Sequence, residues 1–239
     1  PILRCDEARN AGMNPSIIKE ASGLIRDAIL DGAFPGATFL VARKGVIVAH
    51  EAYGDAVSTP PEMSRPMKLD TIYDMGSIAK PVATATSLMI LLERGKVTLS
   101  DAVSHYVPEY TGGKKEGTTL FDLLTHTSGL PAWKPLYEIC KGRDDFLHEI
   151  CRMDLEYPPR EKVVYSCLGF ILLTFILENV MGEDLGSFAR REIFLPLGMK
   201  DTLFNPPIAM RDKIAATERC KWRGRMLIGE VHDENAFGM

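Results

Sequence analysis

The chain is expected to fold as an α+β protein, and three observations predict it. An amphipathic helical segment near the start is followed by two β-rich runs joined through Lys44-Gly45. More than a hundred residues of helical patterning come next. Strand character then returns only weakly, at Met226 to Val231.

Asn14 before Pro15 reads as an N-cap and a first helical residue, since a first turn leaves its N–H groups unpaired and proline has none to lose. That helix should run to about Asp31. Ala37 to Ala42 and Val46 to Tyr53 are apolar and β-rich, and the Lys-Gly pair between them signals a hairpin. Val82 to Glu93 reads as a buried helix stopped at Gly95. Leu120 to Thr125, Asp144 to Met153, Gly169 to Met181 and Leu185 to Phe194 carry further helical patterns. Loops at Tyr110 to Gly117, Ser128 to Pro135 and Tyr157 to Arg160 interrupt them.

With 239 residues the chain can bury a substantial core. Its 28 basic and 32 acidic residues give a net charge of −4, which argues against a broad polyanion-binding surface. Lys221-Trp222-Arg223-Gly224-Arg225 therefore reads as a solvated turn, and no nucleic-acid partner is expected. Five cysteines (Cys5, Cys140, Cys151, Cys167, Cys220) are an odd number without C-x-x-C spacing, unlike a disulfide framework or a zinc knuckle. The longest apolar run, Leu168 to Leu177, is too short to span a bilayer. The start shows no signal-peptide pattern, so a reducing, cytoplasmic location is favoured, although a processed start would hide an exported form. No cofactor or metal is expected: His232-Asp233-Glu234 lacks a spaced histidine or cysteine partner and reads as a hydrogen-bonded loop. No G-x-S-x-G elbow or P-loop occurs.

Ser77-Ile78-Ala79-Lys80 is the most informative chemistry. Pro81 is tolerated only near a helix start, which puts Ser77 in a first turn with Lys80 on the same face. A hydroxyl nucleophile, an amine to manage its proton and a helix N-terminal amide for an oxyanion then meet in one place. Spacing alone is weak, because roughly one chance match is expected from ordinary composition. The chain supplies it in Ser16-Ile17-Ile18-Lys19, which the Asn14-Pro15 cap explains as structural.

The company of Ser77 is what distinguishes it. Leu123-Leu124-Thr125-His126-Thr127-Ser128-Gly129-Leu130-Pro131, Tyr165-Ser166-Cys167 and Ile193-Phe194-Leu195-Pro196-Leu197-Gly198-Met199 follow in order. From about residue 15 onward the chain resembles the serine β-lactamase and penicillin-binding-protein superfamily. The likeness is to the branch of class C β-lactamases, D-alanyl-D-alanine carboxypeptidases and related esterases. The resemblance implies a β-lactamase/transpeptidase-like domain over 1–239, with an antiparallel sheet flanked by helices and an inserted helical subdomain. The α/β part would take about 15–80 and 222–239, and the helical part about 81–221. It also implies catalytic roles for Ser77 as the acylated nucleophile, Lys80 as the group easing its deprotonation, and Tyr165 as the proton shuttle. A tyrosine of pKa near ~10 needs a neighbouring cation for that task.

Two departures stand out. Cys167 occupies the substrate-binding position where the family carries asparagine or aspartate, and a thiol replaces an amide's hydrogen bonds poorly, which leaves ester cleavage less affected. No Lys-Thr-Gly or His-x-Gly equivalent follows Tyr165, so the chain is expected to be an N-terminal portion of a longer protein, without its closing strands and with one oxyanion donor missing. Loss of such a donor costs about 10²–10³ in rate. His126 is expected to be a hydrogen-bonding residue and not a base. The resulting expectation is a serine hydrolase acting through an acyl-enzyme on a small ester, β-lactam or D-amino-acid peptide. The alternatives are an inactive penicillin-binding-like binding or sensor module, and a structural protein that self-associates through an uncovered sheet edge.

Overall fold

In the computed structural model, which describes residues 3–239, Asn14 caps the first long helix as its sequence demands. The first two positions of the expected 1–239 domain lie outside the described residues. The chain divides into two units. One comprises the residues up to Asp74 together with Pro206–Glu230, and the other comprises Met75–Asn205 together with Val231–Met239.

The first unit contains β1 (Arg4–Cys5), α1 (Pro15–Leu30), β2 (Gly36–Arg43), β3 (Val46–Val57), β4 (Arg65–Pro66), β5 (Ala216–Cys220) and β6 (Arg225–Ile228). The Asn14 carboxamide oxygen accepts from the Ser16 N–H at 2.9 Å, which satisfies one first-turn donor of α1. Lys44 and Gly45 both take positive φ, 51° and 75°, the conformation that a two-residue hairpin turn requires. Strand order is β1-β3-β2, with β1 parallel and β2 antiparallel to β3, so β2 is an outer edge. β4 pairs antiparallel with the far end of β3, and β5 and β6 form a separate two-stranded ribbon. Backbone bonds from Ile72 N–H to Lys213 and from Ala215 N–H to Ile72 join the early and late segments. Val57, Ile214 and Ile228 form one small apolar cluster there, and Ala56, Met67 and Ala215 another.

The second unit is helical: α2 (Thr86–Glu93), α3 (Val103–Tyr106), α4 (Leu120–Leu124), α5 (Arg143–Arg152), α6 (Cys167–Met181), α7 (Leu185–Ala189) and α8 (Glu234–Gly238). From Leu168 to Leu177 α6 is apolar on nearly every side, as a central helix must be. Leu168, Leu172, Leu173 and Ile176 belong to one buried cluster with Leu88 and Leu91 of α2, Leu120 and Leu123 of α4, and Phe146 and Ile150 of α5. α7 continues through a π-helical turn, Arg190–Phe194, which buries Ile193 and Phe194 against Ala83 and Leu185.

α8 is fixed by one polar residue. Asn235 is 1 % exposed; its Nδ2 donates to the Lys134 carbonyl at 2.9 Å, and its Oδ1 accepts from the Tyr137 N–H at 3.1 Å. Asn235→Ala removes two part-buried hydrogen bonds and should lower stability by about 1–3 kcal/mol. A urea titration checks this: the midpoint falls with the slope unchanged, whereas an unmoved midpoint means the bonds contribute nothing.

Candidate active site

Ser77 stands in the first turn of a continuous helical run. Gly76–Ile78 forms a 3-10 turn, Lys80–Ala85 widens into a π-helix, and α2 completes the run. Pro81 accounts for the widening. It has no N–H, and its ring crowds the carbonyl four residues earlier, which is that of Ser77. The chain enters through Gly76 at φ 49°, a conformation that favours glycine. The sequence predicted a helix starting near Ser77. The departure from plain α geometry is the local effect of Pro81.

This winding sets Lys80 beside Ser77, and the Lys80 Nζ donates to Ser77 Oγ at 3.0 Å. A positive charge at that distance lowers the cost of developing an alkoxide. The Ser77 amide lies in a first turn, where N–H groups lack intrahelical acceptors and can face a developing anion. Ser16 differs in both respects. Its amide is held by Asn14 at the start of α1, and no hydrogen bond joins Ser16 to Lys19 among the described residues.

Tyr165 meets Lys80 through its ring. The ammonium lies 5.2 Å from the Tyr165 centroid and 6.0 Å from that of Phe170, within the range where a cation is attracted to an aromatic face. Among the described residues no hydrogen bond joins the Tyr165 hydroxyl to Ser77 or Lys80. Catalytic hydrogen bonds of unliganded sites commonly tighten only with substrate. Cys167 is the first residue of α6; its N–H donates to the Ala132 carbonyl at 2.9 Å, and its thiol makes no hydrogen bond among the described residues.

Two further residues organise the segment around Tyr165. Ser166 is the N-cap of α6: its Oγ accepts from the Gly169 N–H at 3.1 Å and donates to the Pro131 carbonyl at 2.7 Å. The helix therefore starts two residues before the expected Gly169. A serine ahead of an apolar run is the signal that would have placed the boundary. His126, at φ 59°, lies with its ring 4.6 Å from that of Tyr165 and 5.0 Å from that of Phe170. Its Nδ1 accepts from the Ser166 N–H at 3.1 Å, and its carbonyl accepts from the Val164 N–H at 2.9 Å. Burial first, and then the charge of Lys80, hold the imidazole below the usual histidine range.

The loop carrying His126 is anchored on both sides. Asp122 of α4 is fully buried, and its carboxylate accepts from Arg160 Nε at 2.8 Å and Nη2 at 2.9 Å. The same carboxylate accepts from the Thr119 N–H at 2.9 Å, closing a capping box. The Arg160 N–H donates to Thr127, and the Glu156 N–H donates to Gly129. Gly129 sits at φ 83° with the Tyr157 carbonyl directly where a Cβ would point, so no other residue fits.

A family model described as Beta-lactamase matches residues 17–234. An Escherichia coli (strain K12) protein provisionally named D-alanyl-D-alanine carboxypeptidase is 31% identical over 269 residues, covering 99% of this chain and 61% of its own length. The chain thus spans about three fifths of the length of such curated relatives. Among solved structures, a class C beta-lactamase from Rhodobacter sphaeroides is 26% identical with a TM-score of 0.74, over 91% of this chain and 60% of that one. EstCE1, a hydrolase with promiscuous acyltransferase activity, is 26% identical with a TM-score of 0.71, over 89% and 64%.

Proposed function

The chain belongs to the Beta-lactamase family, and on that premise we propose that it is a serine acyl hydrolase working through an acyl-enzyme on Ser77. The observation that carries this reading is the 3.0 Å bond from Lys80 to Ser77 Oγ at the head of a helical run. Ser77 Oγ attacks a carbonyl carbon as its proton passes to Tyr165, while the Lys80 ammonium, a donor with no lone pair, stabilises the negative charge developing on Oγ. Tyr165 then returns that proton to the departing oxygen or nitrogen. Water then hydrolyses the ester formed on Ser77 and regenerates the hydroxyl. The names of similar proteins, a carboxypeptidase, a class C beta-lactamase and a hydrolase with promiscuous acyltransferase activity, support a D-amino-acid peptide, a β-lactam or a small ester as the substrate. Cys167 favours the ester, because its thiol is a weak partner for a substrate amide.

Intact-protein mass spectrometry after exposure to a fluorophosphonate, a penicillin or an activated short-chain ester tests the proposal. A single adduct that maps to Ser77, disappears in Ser77→Ala and survives in Ser16→Ala is expected. An adduct on Ser16, or labelling undiminished by Ser77→Ala, overturns it.

A further inference from the structure

Among the described residues Tyr165 makes no side-chain hydrogen bond to Ser77 or Lys80, so other contacts must set where its phenol stands. Its flanking amides are both taken by one residue. The N–H before it, from Val164, ends on the His126 carbonyl at 2.9 Å, and the N–H after it, from Ser166, ends on His126 Nδ1 at 3.1 Å. The imidazole also packs on the Tyr165 ring at 4.6 Å. We propose that His126 is a positioning residue, whose neutral ring, accepting at Nδ1, brackets Tyr165 and holds the phenol beside Lys80 and Ser77. The proposal rests on the acyl-hydrolase reading of that site.

The bracket has a chemical condition. Nδ1 accepts only while it carries no proton, which assigns the ring hydrogen of the neutral form to Nε2. Adding a proton puts a donor against the Ser166 N–H and breaks the outer arm. The ionisable groups facing the ring are Lys80 of the π-helical turn and Tyr165 itself, while Phe170 of α6 is uncharged. Asp122 and Arg160, which frame the neighbouring Thr127, are paired with each other. Burial and Lys80 both oppose the charged imidazole, so the bracket stays intact at neutral pH and opens in acid.

The test is the rate of Ser77 modification by a fluorophosphonate from about pH 8 to about pH 5 in wild type, His126→Ala and His126→Asn. Asparagine places an oxygen acceptor where Nδ1 was, tolerates positive φ and takes up no proton. His126→Ala should react about 10²-fold more slowly at neutral pH, the scale of a misplaced catalytic group. His126→Asn should recover most of that loss and lack the acid limb of the wild type. An asparagine variant as slow as alanine, or one with an unchanged acid limb, overturns the proposal while wild-type labelling leaves the hydrolase reading standing. A wild type that does not label overturns that reading instead. Nitrogen-15 NMR of the imidazole then still decides the bracket, since an Nδ1–H tautomer sinks it and an Nε2–H tautomer, with the ring titrating below the usual histidine range, supports it.

Discussion

Lys80→Met is expected to slow acylation of Ser77 by about 10²–10³-fold, the usual cost of removing one charged donor from a developing oxyanion. At the barrier this corresponds to about 3–4 kcal/mol. Methionine keeps an unbranched apolar stem of similar volume against the Tyr165 and Phe170 rings, so packing is nearly preserved. What disappears is the charge 3.0 Å from Ser77 Oγ. Rapid-mixing kinetics with an activated ester should show a fall in kcat and kcat/KM together, the signature of an interaction made in the transition state. Lys80→Arg should not rescue, because a planar guanidinium cannot occupy the place of a compact ammonium. Acylation at the wild-type rate in Lys80→Met would mean that the Lys80–Ser77 bond is structural.

Asp122→Asn carries the largest expected cost in stability. The charge removed is the buried one, and Arg160, 58% exposed, rehydrates, so the loss is that of the charge-assisted hydrogen bonds, about 3 kcal/mol. For a protein of this size that lowers Tm by about 6–12 °C. The pH dependence follows from the carboxyl. Burial by itself raises it, but Arg160 and Thr119 outweigh burial and hold it below the ordinary carboxylate range. A depressed folded-state pKa contributes stability that is present above the unfolded value near ~4 and is lost as pH falls through the folded one. Thermal melts of wild type and Asp122→Asn should therefore converge on acidification below about pH 4. A gap that stays constant through that range would assign the loss to shape and not to charge.

Local signals carried much of this architecture. Asn14-Pro15 placed the start of α1, Lys44-Gly45 placed the β2–β3 turn, and the apolar run after Ser166 placed α6 to within two residues. β1, β4 and β5 escaped for a physical reason. The first two are only two residues long and exist by pairing with β3, while β5 exposes three of its five residues and so lacks a buried alternating face. At the site, the adjacency of Ser77 and Lys80 was legible because it is set by one helical turn. The Asp122–Arg160 pair and the bond from Ser166 to His126 join residues 38 and 40 apart, and no periodicity in the sequence encodes such a distance. The π-helical turn at Pro81 lay between these cases: the proline announced a disturbance, but its form depends on how the Ser77 carbonyl relaxes.

Asn235 gives the second unit a particular place in time. The backbone groups it holds, on Lys134 and Tyr137, precede it by 101 and 98 residues. A ribosome adds about 5–20 residues each second, so those groups emerge at least several seconds ahead of the side chain that satisfies them. Throughout that interval water must serve Lys134 and Tyr137, and the apolar cluster about α6 can assemble before its polar latch exists. Asn235 is thus synthesised only after the helices whose loop it ties, and its two bonds can close only then.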